Sequence, residues 1–217
     1  MKTKALIAIL LCLFSNAFSE DKVIFADDFS KPQRLQSEWK WTDGIWRYDA
    51  IAQTLRQSQG APHRVGKIYL QKPLPPNVEI QFDLTYLGGK SEKGFGAGLI
   101  LRHPGVNKTG SFYQLGIATH GKSGMTITKV ETRNENGMLK NKYKELAQFD
   151  THVFEQNKKH HIIVRIEKNT FICTVDGEEM FEYQLPQDTT EIQSSIFGLS
   201  TYGASADFDN LLIRELK

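Results

Sequence analysis

Cysteine is scarce in this chain: only Cys12 and Cys173 occur among its 217 residues. Cys12 lies in an N-terminal apolar stretch that we expect to be removed, so Cys173 is left without a partner inside the chain. This excludes a small scaffold held together by disulfide bonds. The stretch around Cys173, FICTV, is typical of a strand in which a small thiol is buried.

An excess of one charge is also lacking. The formal net charge is +2, and it falls to zero once Lys2 and Lys4 are left out with the N-terminal stretch. A neutral chain offers no electrostatic basis for binding nucleic acid or an anionic membrane surface. We therefore expect neither of them as a partner.

Several signatures of chemistry and of other architectures are missing as well. The sequence shows no nucleophilic triad, no phosphate-binding loop and no cysteine metal cluster. It shows no internal repeat, low-complexity tract or linker, and helical periodicity is limited to a turn or two in KPQRLQSEW. We predict one domain over residues 20–217.

The first 19 residues have the three parts of a secretory signal. Two lysines precede an apolar run over residues 5–14, and Ala17 and Ser19 supply small side chains before the expected cleavage point. The run is shorter than the about 20 residues that span a bilayer. We predict a cleaved signal over residues 1–19 and a secreted or periplasmic bacterial protein, without a transmembrane segment or lipid anchor.

The rest of the chain alternates between short β-prone runs and turns. Runs rich in β-branched and aromatic residues recur every 8–12 residues or so, separated by Gly, Pro, Asn and Asp, which is the pattern of an all-β sandwich of two antiparallel sheets. Asp176-Gly177 predicts a tight hairpin turn, because both residues tolerate positive φ. Gly94, Gly96 and Gly98 predict a β-bulge or the close approach of something large.

The order of these segments resembles the concanavalin A-like jelly roll. Within it, the chain is most similar to the secreted 3-keto-disaccharide hydrolase domain, which in turn resembles laminin-G-like modules and family 16 glycoside hydrolases. The segments that carry the resemblance are DDF at 27–29, WKWTDGIWRYD at 39–49, NVEIQFDL at 77–84, GAGLILR at 96–102, FYQLGI at 112–117 and the closing IFGLSTYGASADFDNLLIREL.

The resemblance implies a carbohydrate ligand, with a glycan lying across one concave sheet. The strand matching FYQLGI usually carries a Glu in that hydrolase family, whereas this chain has Gln114. An amide can hydrogen-bond a sugar but cannot act as a general acid or base. The Glu-x-Asp-x-x-Glu strand of the family 16 glycosidases is missing too, so a catalytic residue is not identified.

A ligand-binding cluster is expected near the ends of neighbouring strands of this sheet. Its side chains could hydrogen-bond sugar hydroxyls or a carboxylate, and a tyrosine could stack on a sugar face. The alternative is that Arg102 and His103 simply end a strand before a Pro-Gly turn. The expected ligand-binding residues are Arg102, His103, Tyr113, Gln114 and His120.

Two other groups of residues have competing interpretations. Glu79 and Asp83 share one strand face but lie about 13 Å apart, beyond the roughly 5–9.5 Å of glycosidase pairs, so a solvated outer face is favoured. The aromatic residues Trp39, Trp41, Trp46 and Tyr48 could share a sugar-binding face, although core packing is favoured for them. Of His160 and His161, one is expected to point inward and one outward.

Acidic residues stand near both ends of the chain. If the first and last strands pair, Asp27 or Asp28 approaches Asp207 or Asp209, and a cation or basic side chains must compensate. One interpretation is a structural calcium ion held by Asp28 and Asp209. The other is capping, in which these side chains accept backbone N–H groups at turns.

Three functions remain open from the sequence. The first is a secreted carbohydrate-binding module that presents Arg102, Tyr113 and Gln114 to a glycan. The second is a glycoside hydrolase or lyase acting on a (keto-)disaccharide or polysaccharide, and the third is a structural module of the cell envelope.

Overall fold

A computed structural model describes residues 21–58, 65–89, 95–120, 124–150, 154–186 and 195–217. The expected signal over residues 1–19 lies outside these ranges. Within them, the chain consists almost entirely of β-strands, with one short helix, α1 (Gln33–Ser37). Among the described residues, no helix is long and apolar enough to cross a membrane.

The described strands form two sheets in which every pairing is antiparallel. In sheet A the strand order is β13-β12-β11-β6-β15-β4-β3, with β1 also paired to β15. Its strands are β1 (Lys22–Asp27), β3 (Ile45–Asp49), β4 (Thr54–Ser58), β6 (Val78–Gly89), β11 (Lys159–Glu167), β12 (Thr170–Val175), β13 (Glu178–Gln184) and β15 (Ala204–Glu215).

Sheet B packs against sheet A and has the order β10-β9-β8-β7-β14-β5-β2. Consecutive strands along the chain either are hairpin neighbours in one sheet or cross to the other sheet, as expected for a sandwich. Its strands are β2 (Trp39–Asp43), β5 (Val65–Leu70), β7 (Phe95–His103), β8 (Gly110–His120), β9 (Met125–Glu135), β10 (Met138–Phe149) and β14 (Ile196–Tyr202). The predicted all-β sandwich of two antiparallel sheets is confirmed.

The main core lies between the sheets and follows strict alternation along each strand. In β6, Val78, Ile80, Phe82 and Leu84 are buried in this core, whereas the residues between them are half-buried on the other face. Each such side chain contributes about 1.5–3 kcal/mol through removal of apolar surface from water. Cys173 is fully buried there too, and burial raises the pKa of its thiol to about 12.

Two local predictions are confirmed. Asp176 and Gly177 have φ values of 51° and 87° and close a two-residue hairpin between β12 and β13, as a type I′ turn requires. A β-bulge interrupts the pairing of β7 with β8 between Ala97 and Gly98. A Cβ atom at Gly98 would lie 1.9 Å from the carbonyl oxygen of Leu115, so only glycine fits the bulge.

The two ends of the described chain meet. Strand β1 pairs with β15 in antiparallel register, from Lys22 opposite Glu215 to Asp27 opposite Leu211. The expected pairing of the first and last strands is therefore confirmed. Since β15 also pairs with β6 and β4, this contact ties the start of the chain to the centre of sheet A.

Candidate functional site

Sheet B has a second face, turned away from sheet A, which we call the outer face of sheet B. In β8, Tyr113, Leu115 and Ile117 enter the main core. Side chains alternate along a strand, so Phe112 and Gln114 lie on the outer face. Gln114 is half-buried there.

Strand register aligns polar residues across this face in two neighbouring rows. In each row, neighbouring residues are direct pairing partners on adjacent strands. The residues of a row are therefore close in space but far apart in the sequence. One row runs through Tyr69, Gly198, Ile100, Gln114, Thr128 and Glu145, and the other through Lys67, Ser200, Gly98, Gly116 and Thr126.

Three glycines remove side chains from the middle of these rows. Gly98 pairs with Gly116 across β7 and β8, and Gly198 pairs with Ile100 on β14 and β7. We call Gly98, Gly116 and Gly198 the glycine trough. The half-buried side chains of Gln114, Thr126, Thr128 and Ser200 border it, so the trough is a low strip lined by an amide and three hydroxyl groups.

An aromatic cluster fills one end of the outer face. The ring of His103 lies between Tyr69 and Phe112, with centroid distances of 4.9 and 4.5 Å, and Ile100 and Val130 complete a small apolar cluster. Burial lowers the pKa of His103 to about 4, and the charge of Lys67 contributes to the shift. His103 is therefore neutral near pH 7, and its Nδ1 accepts a hydrogen bond from the Gly105 N–H at 3.1 Å.

Two exposed tyrosines border the same face. Tyr143 on β10 is 54% exposed and Tyr202 on β14 is 38% exposed. Burial raises the pKa of Tyr69, and the charges of Asp43 and Tyr143 raise it further. Asp43 and Tyr143 stand on the two edge strands of sheet B, β2 and β10.

All five expected ligand-binding residues stand on β7 and β8 of sheet B, and the structure describes two of them as part of the outer face. His103 contributes to the aromatic cluster and Gln114 borders the glycine trough. His120 is the last residue of β8 and pairs with Phe95, and its side chain lies outside the described part of the structure.

Arg102 and Tyr113 stand on the same strands but turn their side chains away from the outer face. Tyr113 is 3% exposed and its ring packs edge-on against Phe171 in the main core, so it cannot stack on a sugar in this arrangement. Arg102 has a φ of 56°, which turns its side chain out of the alternation. Its guanidinium lies over Phe171 and donates hydrogen bonds to the Lys168 carbonyl and to Asn169, so it joins the two sheets.

The carboxylates of β6 are part of a polar network on the outside of sheet A. Asp83 contacts His161 at 2.8 Å and accepts a hydrogen bond from Asn210 at 2.8 Å. Glu79 accepts one from Gln81 at 2.5 Å and lies 3.7 Å from Arg165. This arrangement agrees with a solvated outer face rather than with a pair of catalytic acids.

The acidic residues near the chain ends are compensated by protein groups. Asp28 accepts hydrogen bonds from the Ser30 N–H and hydroxyl at 3.0 and 2.6 Å, which closes a turn and lowers its pKa. Asp209 pairs with Lys159 at 2.9 Å. Among the described residues, no group of three or more His, Cys, Asp or Glu could hold a metal ion. Asp28 and Asp209 are thus each compensated by protein donors, and a calcium ion held by them stays a prediction.

The early aromatic residues are divided between the two sheets rather than sharing one face. Trp39 on β2 and Trp46 on β3 are buried in the main core, whereas Trp41 is exposed. The expected orientation of the paired histidines is confirmed: His160 is fully buried and His161 is exposed.

Sequence reasoning missed several residues of the outer face: Lys67, Tyr69, Thr126, Thr128, Tyr143, Ser200 and Tyr202. Alternation within β5 and β14 could have assigned Lys67 and Ser200 to one side of their strands. It could not have shown that β5 and β14 are neighbours, because their first residues, Val65 and Ile196, are 131 positions apart and their pairing is non-local.

Comparisons with known proteins give structural but no sequence relatives. No family model matches the chain, and no curated protein matches its sequence. The carbohydrate binding module CBM66 from Bacillus subtilis superposes with a TM-score of 0.62 at 18% identity, covering 82% of this chain and 96% of that one. A protein of unknown function with a galectin-like fold, also from Bacillus subtilis, gives 0.66 at 6% identity, covering 89% and 96%. The exoplasmic/lumenal domain of VIP36, in its Ca²⁺- and mannose-bound form, gives 0.59 at 16% identity, covering 88% and 92%.

These similarities show the fold. The chain is a concanavalin A-like, galectin-like jelly roll, as the sequence resemblance implied. At such low identity the function of these proteins does not carry over to this chain, so the site has to be argued from its own residues.

Proposed function

We infer that the protein is a carbohydrate-binding module whose ligand lies in the glycine trough on the outer face of sheet B. The observation that carries the inference is the pairing register that places Gln114, Thr126, Thr128 and Ser200 around that strip. Amide and hydroxyl side chains both donate and accept hydrogen bonds, which matches the hydroxyl groups of a sugar.

The bordering tyrosines supply the apolar part of such a site. The exposed rings of Tyr143 and Tyr202 can pack against the C–H face of a pyranose at low entropic cost. Apolar surface combined with a few placed polar groups is the usual lining of a small-ligand site. The carbohydrate-binding module and the mannose-bound lectin domain of the same fold are consistent with this use of the fold.

We extend the proposal to the location of the protein and to its family. A carbohydrate ligand suits a secreted or periplasmic protein, with residues 1–19 as its signal and residues 20–217 as one domain. The 3-keto-disaccharide hydrolase group is the branch of the fold to which we assign it. We propose binding rather than hydrolysis as the activity, because Gln114 stands where that hydrolase family usually carries a Glu and an amide cannot act as a general acid or base.

A glycan array followed by calorimetry tests this function. Gln114→Ala and Tyr202→Ala should each weaken binding about tenfold, since a lost hydrogen bond or stacking contact removes roughly 1–1.5 kcal/mol. Gln81→Ala is the matched control, because Gln81 is a half-buried glutamine on the outside of sheet A. Release of new reducing ends would favour the hydrolase, and the absence of any glycan binding would favour a structural module.

A further inference from the structure

Lys67 is a buried cation on the outer face of sheet B. It is 8% exposed and lies in β5 between Asp43 on β2 and Ser200 on β14. Among the described residues, Lys67 forms neither a hydrogen bond nor an ion pair. The carboxylate of Asp43, its cross-strand neighbour, accepts a hydrogen bond from the Thr42 hydroxyl at 3.1 Å instead.

An unpaired buried charge needs a reason. Lysine is almost never buried unless it is paired, because removing its charge from water is costly. The ammonium nitrogen of Lys67 is not among the fully enclosed side-chain atoms, so it remains within reach of a ligand although its aliphatic stem is covered.

The surroundings of Lys67 define where such a ligand would lie. Its register partner Ser200 pairs in turn with Gly98 of the glycine trough, so the ammonium stands at one side of the trough. Burial lowers the pKa of the neighbouring His103, and the charge of Lys67 adds to this shift, so this histidine is neutral near pH 7. Among the described residues at this end of the outer face, Lys67 is therefore the only buried side chain with a positive charge.

We propose that Lys67 binds an anionic group, a carboxylate or a sulfate, on an acidic saccharide lying in the glycine trough. This inference rests on the proposed function and narrows its ligand to charged glycans. Ser200, the register partner of Lys67, supplies a hydroxyl donor next to it, and the glycine pair Gly98 and Gly116 presents no side chain of its own beside Ser200. A charge-assisted hydrogen bond of this kind is about twice as strong as a neutral one.

The competing explanation is that Lys67 only covers apolar surface with its stem while its ammonium stays in water. That role predicts no change in ligand binding when the charge is removed. The two explanations therefore separate in a binding experiment.

The experiment measures binding to matched charged and neutral saccharides by calorimetry. One pair is oligogalacturonate and its full methyl ester, and the other is a sulfated carrageenan oligosaccharide and its desulfated form. The proteins are the wild type, Lys67→Met, Lys67→Arg and the control Lys144→Met. Lys144 is exposed on β10 opposite Lys129, on the other side of sheet B. The control therefore removes one positive charge at a position that is not on the outer face.

We expect the wild type and Lys144→Met to bind one charged saccharide at least tenfold more tightly than its neutral counterpart. Lys67→Met should lose this preference but keep its affinity for the neutral form, and Lys67→Arg should retain it. The pair that shows the preference identifies carboxylate or sulfate. If Lys67→Met does not fold, the salt dependence of wild-type binding is measured instead. The affinity of the wild type for the charged saccharide should fall as the salt concentration rises.

Two results would overturn the inference in different ways. Equal affinity of the wild type for charged and neutral forms, unaffected by Lys67→Met, would exclude the anionic ligand but leave the proposed function standing. Binding of neither charged nor neutral saccharides would overturn the proposed function and the inference with it.

Discussion

The ion pair between Arg56 and Asp207 is the structural feature whose loss we expect to cost most stability outside the main core. The Nε and Nη2 atoms of Arg56 donate to the two oxygens of Asp207, each at 2.6 Å. The side chain of Asp207 is 8% exposed and that of Arg56 is 25% exposed. Since Asp207 lies on β15 and Arg56 on β4, the pair ties the closing strand to its neighbour.

The cost of Arg56→Met follows from what it leaves behind. The substitution removes two charge-assisted hydrogen bonds and leaves the Asp207 carboxylate buried without its partner. Breaking a buried pair in this way costs about 3–5 kcal/mol. Arg56 is a quarter exposed, so water reaches the site in part and we expect about 3 kcal/mol. For a domain of this size that corresponds to a fall in Tm of about 6–12 °C.

Urea unfolding followed by tryptophan fluorescence measures this loss. The double variant Arg56→Met/Asp207→Asn should recover part of the stability, because it no longer buries an unpaired charge. Asp49→Asn is the control: Asp49 also contacts Arg56, at 2.7 Å, but it is more exposed and should matter less. A loss below about 1 kcal/mol in Arg56→Met, or a double variant no more stable than the single one, would refute the reasoning.

Two further predictions concern the outer face. The folded pKa of His103, about 4, lies below its unfolded value of about 6.5. Between these values the unfolded chain binds more protons than the folded one, so the free energy of unfolding falls as pH falls. His103→Phe should reduce this pH dependence in urea unfolding between pH 7 and 5, and an unchanged pH dependence would contradict the prediction. Gly98→Ala should lower the free energy of unfolding by more than about 3 kcal/mol, because its Cβ would meet the Leu115 carbonyl oxygen at 1.9 Å. Gly137→Ala has open space around it but a φ of 81°, so it should cost about 1–2 kcal/mol. Equal losses of stability for the two variants in urea unfolding would argue against the bulge.

Much of the fold follows from local pattern in the sequence. Period-two alternation in segments such as Val78–Gly89 identifies strands and their buried faces. The Asp176-Gly177 pair identifies a hairpin because its φ values depend only on those two residues. These features are readable because their causes lie within a few positions of one another.

The site was only partly predictable because its causes are non-local. Gln114 and His103 lie on the outer face of sheet B, as the alternation of β8 and the end of β7 indicate. Tyr113 follows the same alternation to the core-facing side of β8, whereas a positive φ at Arg102 shifts the alternation of β7 by one residue. The residues next to Arg102 in the sequence do not predict this conformation. It is stabilised by tertiary contacts with Lys168 and Asn169.

The acidic residues at the chain ends show how a motif becomes informative only with its partners. Taken alone, Asp28 and Asp209 suggest a cation, because like charges repel when strands bring them together. The structure gives each described acid its own compensation: Asp28 receives backbone and hydroxyl donors, and Asp209 receives Lys159. Lys67 presents the opposite case, a buried side chain with no ion-pair partner among the described residues. The anionic ligand proposed for the outer face would supply the counter-charge that Asp28 and Asp209 have no need of.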